Sequence, residues 1–396
     1  MTATVPDLRR SYSPPRLPAK PPVRVPKVTV FAGTRPEVIK TARVVQSLRG
    51  DPAIEVEMCV VRQQTDILDA ALADCGLLAD TTLHLEASHG SVANTLASVV
   101  RTVSTFLRES QPDFVLVQGD TTTAFGAALA AFYAGIPIGH IEAGLRSGDK
   151  GSPFPEEAHR ALTDRLASVF YAPTEGAREN LLREGYPAAA VRVVGNTVVD
   201  ALIEMRDRAR AECPADDVVS GRRMLLVTGH RRESFGHGVR SVCLALRTLV
   251  RSRDDIEVVY VLHPHPAAHE PVREILGHEP HVQLILPQGY KRFVDLLERS
   301  YIVITDSGGI QEEAPYFGKP VLVTRENTER PEAAQLGLAR LVGTHSGTIV
   351  SAVNELLDDP VAYGAMAEQT NPFGDGTSAL QIHADLRARL GISAGT

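Results

Sequence analysis

Four groups of polar residues in the 396-residue sequence have types and spacings suited to chemistry on a phosphorylated substrate, and each follows a short apolar run. The first is Ala32-Gly33-Thr34-Arg35-Pro36-Glu37. Gly33 permits a tight turn, and Arg35 offers a planar donor fork suited to phosphate. The second is Asp306-Ser307-Gly308-Gly309-Ile310-Gln311-Glu312-Glu313. Here Ser307, Gly308 and Gly309 expose backbone N–H groups where a helix opens, an anion site fit for a diphosphate, and Glu313 further along can accept from ribose hydroxyls. The third, Thr228-Gly229-His230-Arg231-Arg232-Glu233-Ser234, brings a histidine and two arginines to a strand end. The fourth is a set of carboxylates: Asp120 after Gln118-Gly119, Glu142 in His140-Ile141-Glu142-Ala143-Gly144, and Glu156 beside Glu157. Asp120 and Glu142 each end a strand, so both can face one cleft. Neighbouring carboxylates there are expected to raise one another's pKa, as proton transfer requires.

Each group also has a plainer reading. Arg35 can be a surface charge beside a turn, Ser307 a helix cap, the third group a salt-bridged loop, and any single carboxylate a cap or ion-pair partner. The placement at strand ends, and the three carboxylates together, favour acid/base work near an anion site. The histidines of His263-Pro264-His265-Pro266 and His269 look metal-like, but the prolines forbid helical i, i+4 spacing and no cysteine or clustered aspartate accompanies them, so no metal is expected. There is no G-x-G-x-x-G, G-x-S-x-G or Walker loop, which removes support for a dinucleotide cofactor, a hydrolase triad or a P-loop.

The elements that must position these groups alternate regularly. Short β-branched runs at 28–31, 56–61, 114–118, 136–141, 168–172 and 191–194 read as strands, with helices between them. After helix 197–210 and a polar linker at 213–222 the alternation restarts with strands at 224–228, 257–262, 282–286, 302–305 and 321–324, and a helix is predicted over 311–317. Continuous apolar strands alternating with helices predict parallel sheets covered on both faces. Two such runs predict an α/β protein of two doubly wound Rossmann-like domains facing across a cleft, with ligands outside the carboxyl ends of the strands.

Composition agrees with an enzyme of this size. The chain carries 41 Lys and Arg against 48 Asp and Glu, a formal charge of -7 that argues against a nucleic-acid partner. The charge is uneven. Residues 1–27 hold six basic residues, one acid and seven prolines, for +5, leaving -12 on the remainder. This segment reads as a disordered basic tail, and without an apolar core it is not a secretory signal. No apolar run reaches membrane-spanning length. Four scattered cysteines form no disulfide framework and fit a reducing compartment, so a cytoplasmic location is expected.

Taken in order, the motifs resemble those of the bacterial non-hydrolysing UDP-N-acetylglucosamine 2-epimerases. The match runs through Gly33-Thr34-Arg35-Pro36-Glu37, Gly119-Asp120-Thr121-Thr122-Thr123, His140 to Arg146, Pro155-Glu156-Glu157-Ala158-His159-Arg160, Gly195-Asn196-Thr197, Thr228 to Gly236, Asp306 to Pro315, and Thr328-Glu329-Arg330-Pro331-Glu332. The resemblance implies a glycosyltransferase-B-like fold: a first domain of 28–195, to which 377–396 returns, and a UDP-binding domain of 196–376. It implies that Ser307, Gly308 and Gly309 bind the diphosphate, Glu313 the ribose, Gln288 and Phe293 the uracil region, and Arg35, His230 and Arg330 further parts of the nucleotide. Asp120, Glu142 and Glu156 would surround the sugar, with Lys40 and Arg160 holding them or the substrate, and His230 joins the carboxylates as a catalytic residue. It further implies a UDP-sugar partner, no cofactor, and a homodimer.

Departures from the family pattern stand at Gln63-Gln64-Thr65, Ser88-His89-Gly90-Ser91, His263 to Pro266 and Arg325 to Arg330. They put activation by a second substrate molecule in question and predict hyperbolic substrate dependence. The intact His140 to Gly144 element favours epimerisation over hydrolysis. A hydrolysing variant, an epimerase of another nucleotide sugar, a glycosyltransferase of the same architecture and a non-catalytic binder remain as alternatives.

Overall fold

The computed structural model describes residues 24–62, 66–86, 91–212, 221–229, 237–263, 265–328 and 330–392. His230, Arg231 and Arg232, residues 1–23 of the basic tail, most of the predicted linker, and the departures at 63–65 and 88–90 lie outside the described residues.

Strands β1 (Lys27–Ala32), β2 (Glu55–Arg62), β3 (Thr81–His84), β4 (Phe114–Gln118), β5 (Ile138–Ile141), β6 (Val169–Ala172) and β7 (Val191–Val193) form one all-parallel sheet in the order β3-β2-β1-β4-β5-β6-β7. Helices α1 (Arg35–Arg49), α2 (Asp66–Asp74), α3 (Val92–Ser110), α4 (Thr122–Tyr133), α5 (Glu156–Leu166) and α6 (Glu175–Arg183) cover its faces. The central strands are buried on both sides, which is why β4 reads Phe-Val-Leu-Val without polar alternation. After α7 (Thr197–Glu212), strands β8 (Arg223–Thr228), β9 (Ile256–Val261), β10 (Val282–Ile285), β11 (Ile302–Thr305), β12 (Val321–Val323) and β13 (Ala339–Leu341) form a second parallel sheet, ordered β10-β9-β8-β11-β12-β13. Its helices are α8 (His237–Ser252), α9 (Pro266–Leu276), α10 (Tyr290–Arg299), α11 (Ile310–Glu313), α12 (Pro331–Gln335), α13 (Ser346–Asp358) and α14 (Pro360–Ala367).

The strands predicted from the sequence all form. Strands β3 and β13 are additions: Thr-Thr-Leu-His and Ala-Arg-Leu are only four and three residues long and carry polar residues, so neither shows a continuous apolar run. The helix predicted over 311–317 is instead the single turn α11 followed by a 3-10 turn at Ala314–Phe317, where Pro315 supplies no N–H for a longer α-helix.

Both sheets reverse strand order at their middle, between β1 and β4 in the first and between β8 and β11 in the second. These switch points are where open α/β sheets bind ligands. The turns that leave those four strands are Gly33-Thr34, Gly119-Asp120, Thr228-Gly229 and Asp306-Ser307. Topology therefore brings four of the motifs to one face.

The chain passes between the sheets twice, out through Gly195-Asn196 and back through Phe373-Gly374. The Asn196 N–H donates to the Phe373 carbonyl at 2.6 Å. At this crossing Gly195 has φ +85°, and a Cβ there would lie 3.1 Å from the Gly374 Cα, so both conformation and space demand glycine. Helix α15 (Ser378–Arg389) then packs on α1, where His383 lies between Ser47 (2.9 Å) and Asp51 (3.0 Å). Tyr171 of β6 donates to Asp385 at 3.0 Å.

Candidate active site

Between the two sheets lies a cavity of about 340 Å³ lined by Arg35, Lys40, Gln288, Phe293, Ser307, Gly309 and Glu313 among others. Seven of the ten residues expected to bind substrate thus share one wall, and Gly308 is buried between two of them. Arg35 opens α1 behind the Thr34 cap and donates to the Gln288 carbonyl at 3.0 Å, so one side chain spans both sheets. Asp74 of α2 accepts the Tyr290 N–H at 2.8 Å, which sets the start of α10 and with it Phe293. The turn Ser307–Gly309 is held from beneath: the Ser307 N–H donates to Thr305 at 3.0 Å, and Thr305 pairs with Thr228 across the switch point at 2.7 Å.

Glu313 is buried in this wall, and its Oε2 has no hydrogen-bond partner. Burial, reinforced by the neighbouring Glu312 carboxylate, pushes its pKa up to about 8. A folded-state pKa above the unfolded value means the folded chain keeps a proton that the unfolded chain releases above pH 4.5. The stabilisation is full below that pH and is lost as pH rises toward 8, at up to about 1.4 kcal/mol per pH unit. Glu313→Gln removes this loss. Its melting temperature relative to the parent should therefore climb between pH 5 and pH 8. A difference that stays flat across that range would mean that the carboxyl is ionised in the folded protein.

The carboxylate side is built on the first sheet. Glu142 follows β5 in the left-handed region, φ +71°, which costs a non-glycine residue about 1 kcal/mol or more and aims the side chain inward. Its oxygens accept from Lys40 Nζ at 2.9 and 2.7 Å, from Arg330 Nη2 at 3.2 Å, from Asn196 at 3.4 Å and from Gln118. Burial alone would raise the Glu142 pKa, but Lys40 and Arg330 outweigh it and hold the carboxyl below its ordinary value. The expectation that neighbouring carboxylates raise one another's pKa is thus corrected at this position, because two buried cations lie closer than any second acid. Lys40 is kept charged against the same burial by Glu142 and Glu312.

The turn that carries Asp120 comes close to this group at Gly119, where a Cβ would sit 3.7 Å from Glu142 Oε2. Arg160 of α5 donates to Asp120 at 2.5 Å, while 30 % of the Asp120 side chain stays exposed. The turn is fixed from three directions. His140 contacts the Gly119 carbonyl at 2.8 Å and Asp164 at 2.6 Å, His159 contacts the Asp120 carbonyl at 3.2 Å, and Thr121 donates to Glu37 at 2.6 Å. Glu156 is the first residue of α5. The histidines at 263–269 close a loop on themselves, with His269 Nδ1 3.0 Å from the His263 carbonyl.

Four site residues were not picked out from the sequence as functional: Glu37, Gln118, Asn196 and Glu312. Glu37 is buried, with its pKa raised to about 6 chiefly by burial, and it joins two turns by accepting from Gly33 N–H (3.0 Å) and Thr121. Its signal was present as a polar residue three positions after the helix cap Thr34. Asn196 and Glu312 sit inside quoted motifs, but nothing in their spacing reveals that they meet.

Two facing parallel-sheet α/β domains, with polar strand-end turns converging between them, define a glycosyltransferase-B-like architecture. Residues 46–387 match the family model described as UDP-N-acetylglucosamine 2-epimerase. The chain is 46% identical over 364 residues to the UDP-N-acetylglucosamine 2-epimerase of Salmonella typhimurium, covering 90% of this chain and 97% of that one. The crystal structure of the Neisseria meningitidis UDP-GlcNAc 2-epimerase bound to UDP-GlcNAc superposes with a TM-score of 0.87 at 39% identity, covering 91% of this chain and all of that one. The Methanocaldococcus jannaschii enzyme, in complex with UDP-GlcNAc and UDP, superposes at 0.77 with 31% identity, covering 91% of this chain and 99% of that one. The chain belongs to the UDP-N-acetylglucosamine 2-epimerase family and is an isomerase.

Proposed function

We propose that this enzyme interconverts UDP-GlcNAc and UDP-N-acetylmannosamine by eliminating UDP and adding it back, with UDP on the second domain and the sugar against the carboxylates of the first. The observation that carries this reading is Lys40, which lines the cavity with Ser307, Gly309 and Glu313 and holds Glu142 at 2.7 Å, with the Gly119-Asp120 turn beside that carboxylate.

The C2 proton is not beside a carbonyl and is a poor acid. Breaking the C1–O bond first builds positive charge at C1 and acidifies C2. A carboxylate then takes the proton, the C2–H electron pair becomes the C1=C2 bond of 2-acetamidoglucal, and UDP leaves with the C1–O pair. Ser307, Gly308, Gly309 and Arg35 stabilise the departing diphosphate, a large term for a leaving group that carries the developing charge. Re-addition of UDP, with protonation from the opposite face, inverts C2. Two faces need two proton-transfer groups. Asp120, whose side chain is partly exposed, suits one and Glu156 the other. Glu142, held as a carboxylate by Lys40 and Arg330, is better suited as a fixed anion near C1 than as a group that gains and loses a proton. His230 remains part of the proposal, on the leaving-group side.

Incubation with UDP-GlcNAc in D2O, followed by NMR, tests the reading. Deuterium at C2 of intact UDP-sugar is expected. Free sugar with UDP would make the enzyme a hydrolase, and no exchange with any nucleotide sugar would remove the proposal.

The domain limits of 28–195 with 377–396, and of 196–376, belong to the same reading, as do a cytoplasmic location and a homodimer. Exposed Phe132, Tyr133 and Leu162 on α4 and α5 support self-association. A light-scattering mass of one chain would remove the dimer.

A further inference from the structure

Glu312 belongs neither to the diphosphate turn nor to the sugar-side carboxylates, yet its side chain is fully buried at the boundary between the domains. A buried carboxylate is costly unless donors surround it. Glu312 has Arg330 Nε at 2.8 Å, Asn196 Nδ2 at 2.9 Å and Lys40 Nζ at 3.8 Å. All three partners also hold the far carboxylate, Lys40 through its Nζ at 2.7 Å. Arg330 uses its Nε for Glu312 and its Nη2 for Glu142, and the Asn196 amide lies between the two acids. Asn196 is itself fixed at the chain crossing, through its N–H to Phe373 and its Oδ1 to the Val198 N–H at 3.0 Å. The same helical turn, α11, begins after the Ser307–Gly309 turn and ends in Glu313 of the cavity wall. One short element therefore faces the nucleotide with some residues and, through Glu312, reaches across to Glu142.

We propose that Glu312 is a positioning residue: by holding Arg330 and the Asn196 amide against Glu142, it ties the carboxylate of the first domain to the diphosphate-binding helix of the second. The two halves of the site are then assembled in one event, and the glycal and UDP stay together between elimination and re-addition. This inference rests on the elimination and re-addition proposed above.

Removing the charge on Glu312 leaves Lys40 and Arg330 to share Glu142 alone and to repel each other. The contact across the boundary weakens, while the nucleotide wall keeps all its own residues. Glu312→Gln should therefore bind UDP with unchanged affinity by calorimetry, lose about 100-fold in kcat through misplacement of Glu142, and release free UDP with 2-acetamidoglucal in place of part of the epimerised product. Glu312→Asp, which retains the charge on a shorter stem, should recover part of the retention.

A merely structural role would lower stability without changing how the intermediate partitions. If Glu312→Gln does not fold, Asn196→Ala tests the same connection and should leak in the same way. A folded Glu312→Gln that releases no more glycal than the parent overturns the proposal. So does a parallel loss of UDP affinity, which would place Glu312 in nucleotide binding. Absence of turnover by the unaltered enzyme in the same assay would instead sink the functional reading, since that control does not depend on Glu312.

Discussion

Asp120→Asn is expected to lower turnover by about 10²–10⁴-fold while UDP binds as before. The substitution keeps the shape of the side chain and removes its ability to hold a proton. The turn around it should not move, because its supports do not involve the Asp120 carboxylate: His140 holds the Gly119 carbonyl, His159 the Asp120 carbonyl and Glu37 the Thr121 hydroxyl. An amide oxygen can still accept from Arg160. The loss then isolates proton transfer from positioning. Exchange of the C2 proton into D2O should fall in step with epimerisation. Exchange near the unaltered rate would take Asp120 out of the acid/base role and leave the proton to Glu156 or Glu142.

Gly144→Ala should cost about 3 kcal/mol or more of stability, with no polar group lost. Gly144 has φ +85°, and a Cβ there would lie 2.3 Å from the Ala177 carbonyl oxygen and 2.9 Å from its carbon. Both neighbours are backbone atoms of α6, so the clash cannot be relieved by turning a side chain. Moving α6 would disturb Leu181 in the core and the Thr174 cap, which also donates to Glu332 at 2.7 Å across the cleft. A drop in the denaturant midpoint and faster proteolysis are the readouts. A midpoint close to that of the parent would show that α6 can withdraw at little cost. The glycine that closes the His140 to Gly144 motif is thus explained by space, although the motif reads as catalytic.

Much of the fold was legible because buried parallel strands must be apolar on both faces, and β1, β4, β8 and β11 announce themselves as such. The glycines and charged residues immediately after them mark the expected ligand face in the sequence itself. Strands β3 and β13 are not legible because each is three or four residues long and broken by polar side chains. The pairing of Glu142 with Lys40 and Arg330 was also out of reach. These residues are 102 and 188 positions apart, and no periodicity carries information over that distance. The same separation explains why raised carboxylate pKa values were expected where Glu142 shows the reverse: the acids were visible in the sequence, and the cations facing them were not.

The paired passages at Gly195 and Gly374 have a mechanical consequence. One covalent connection would let the two sheet units swivel about any direction. Two connections, pressed together and joined by the Asn196 to Phe373 bond, act as a pinned joint that resists torsion and leaves bending about the line through them. The two sheet units then meet along a single arc and in a single register. It also follows that the unit of the second sheet is an insertion within the first. Cutting the chain at one of the two passages leaves the unit attached but free to twist, whereas cutting both detaches it.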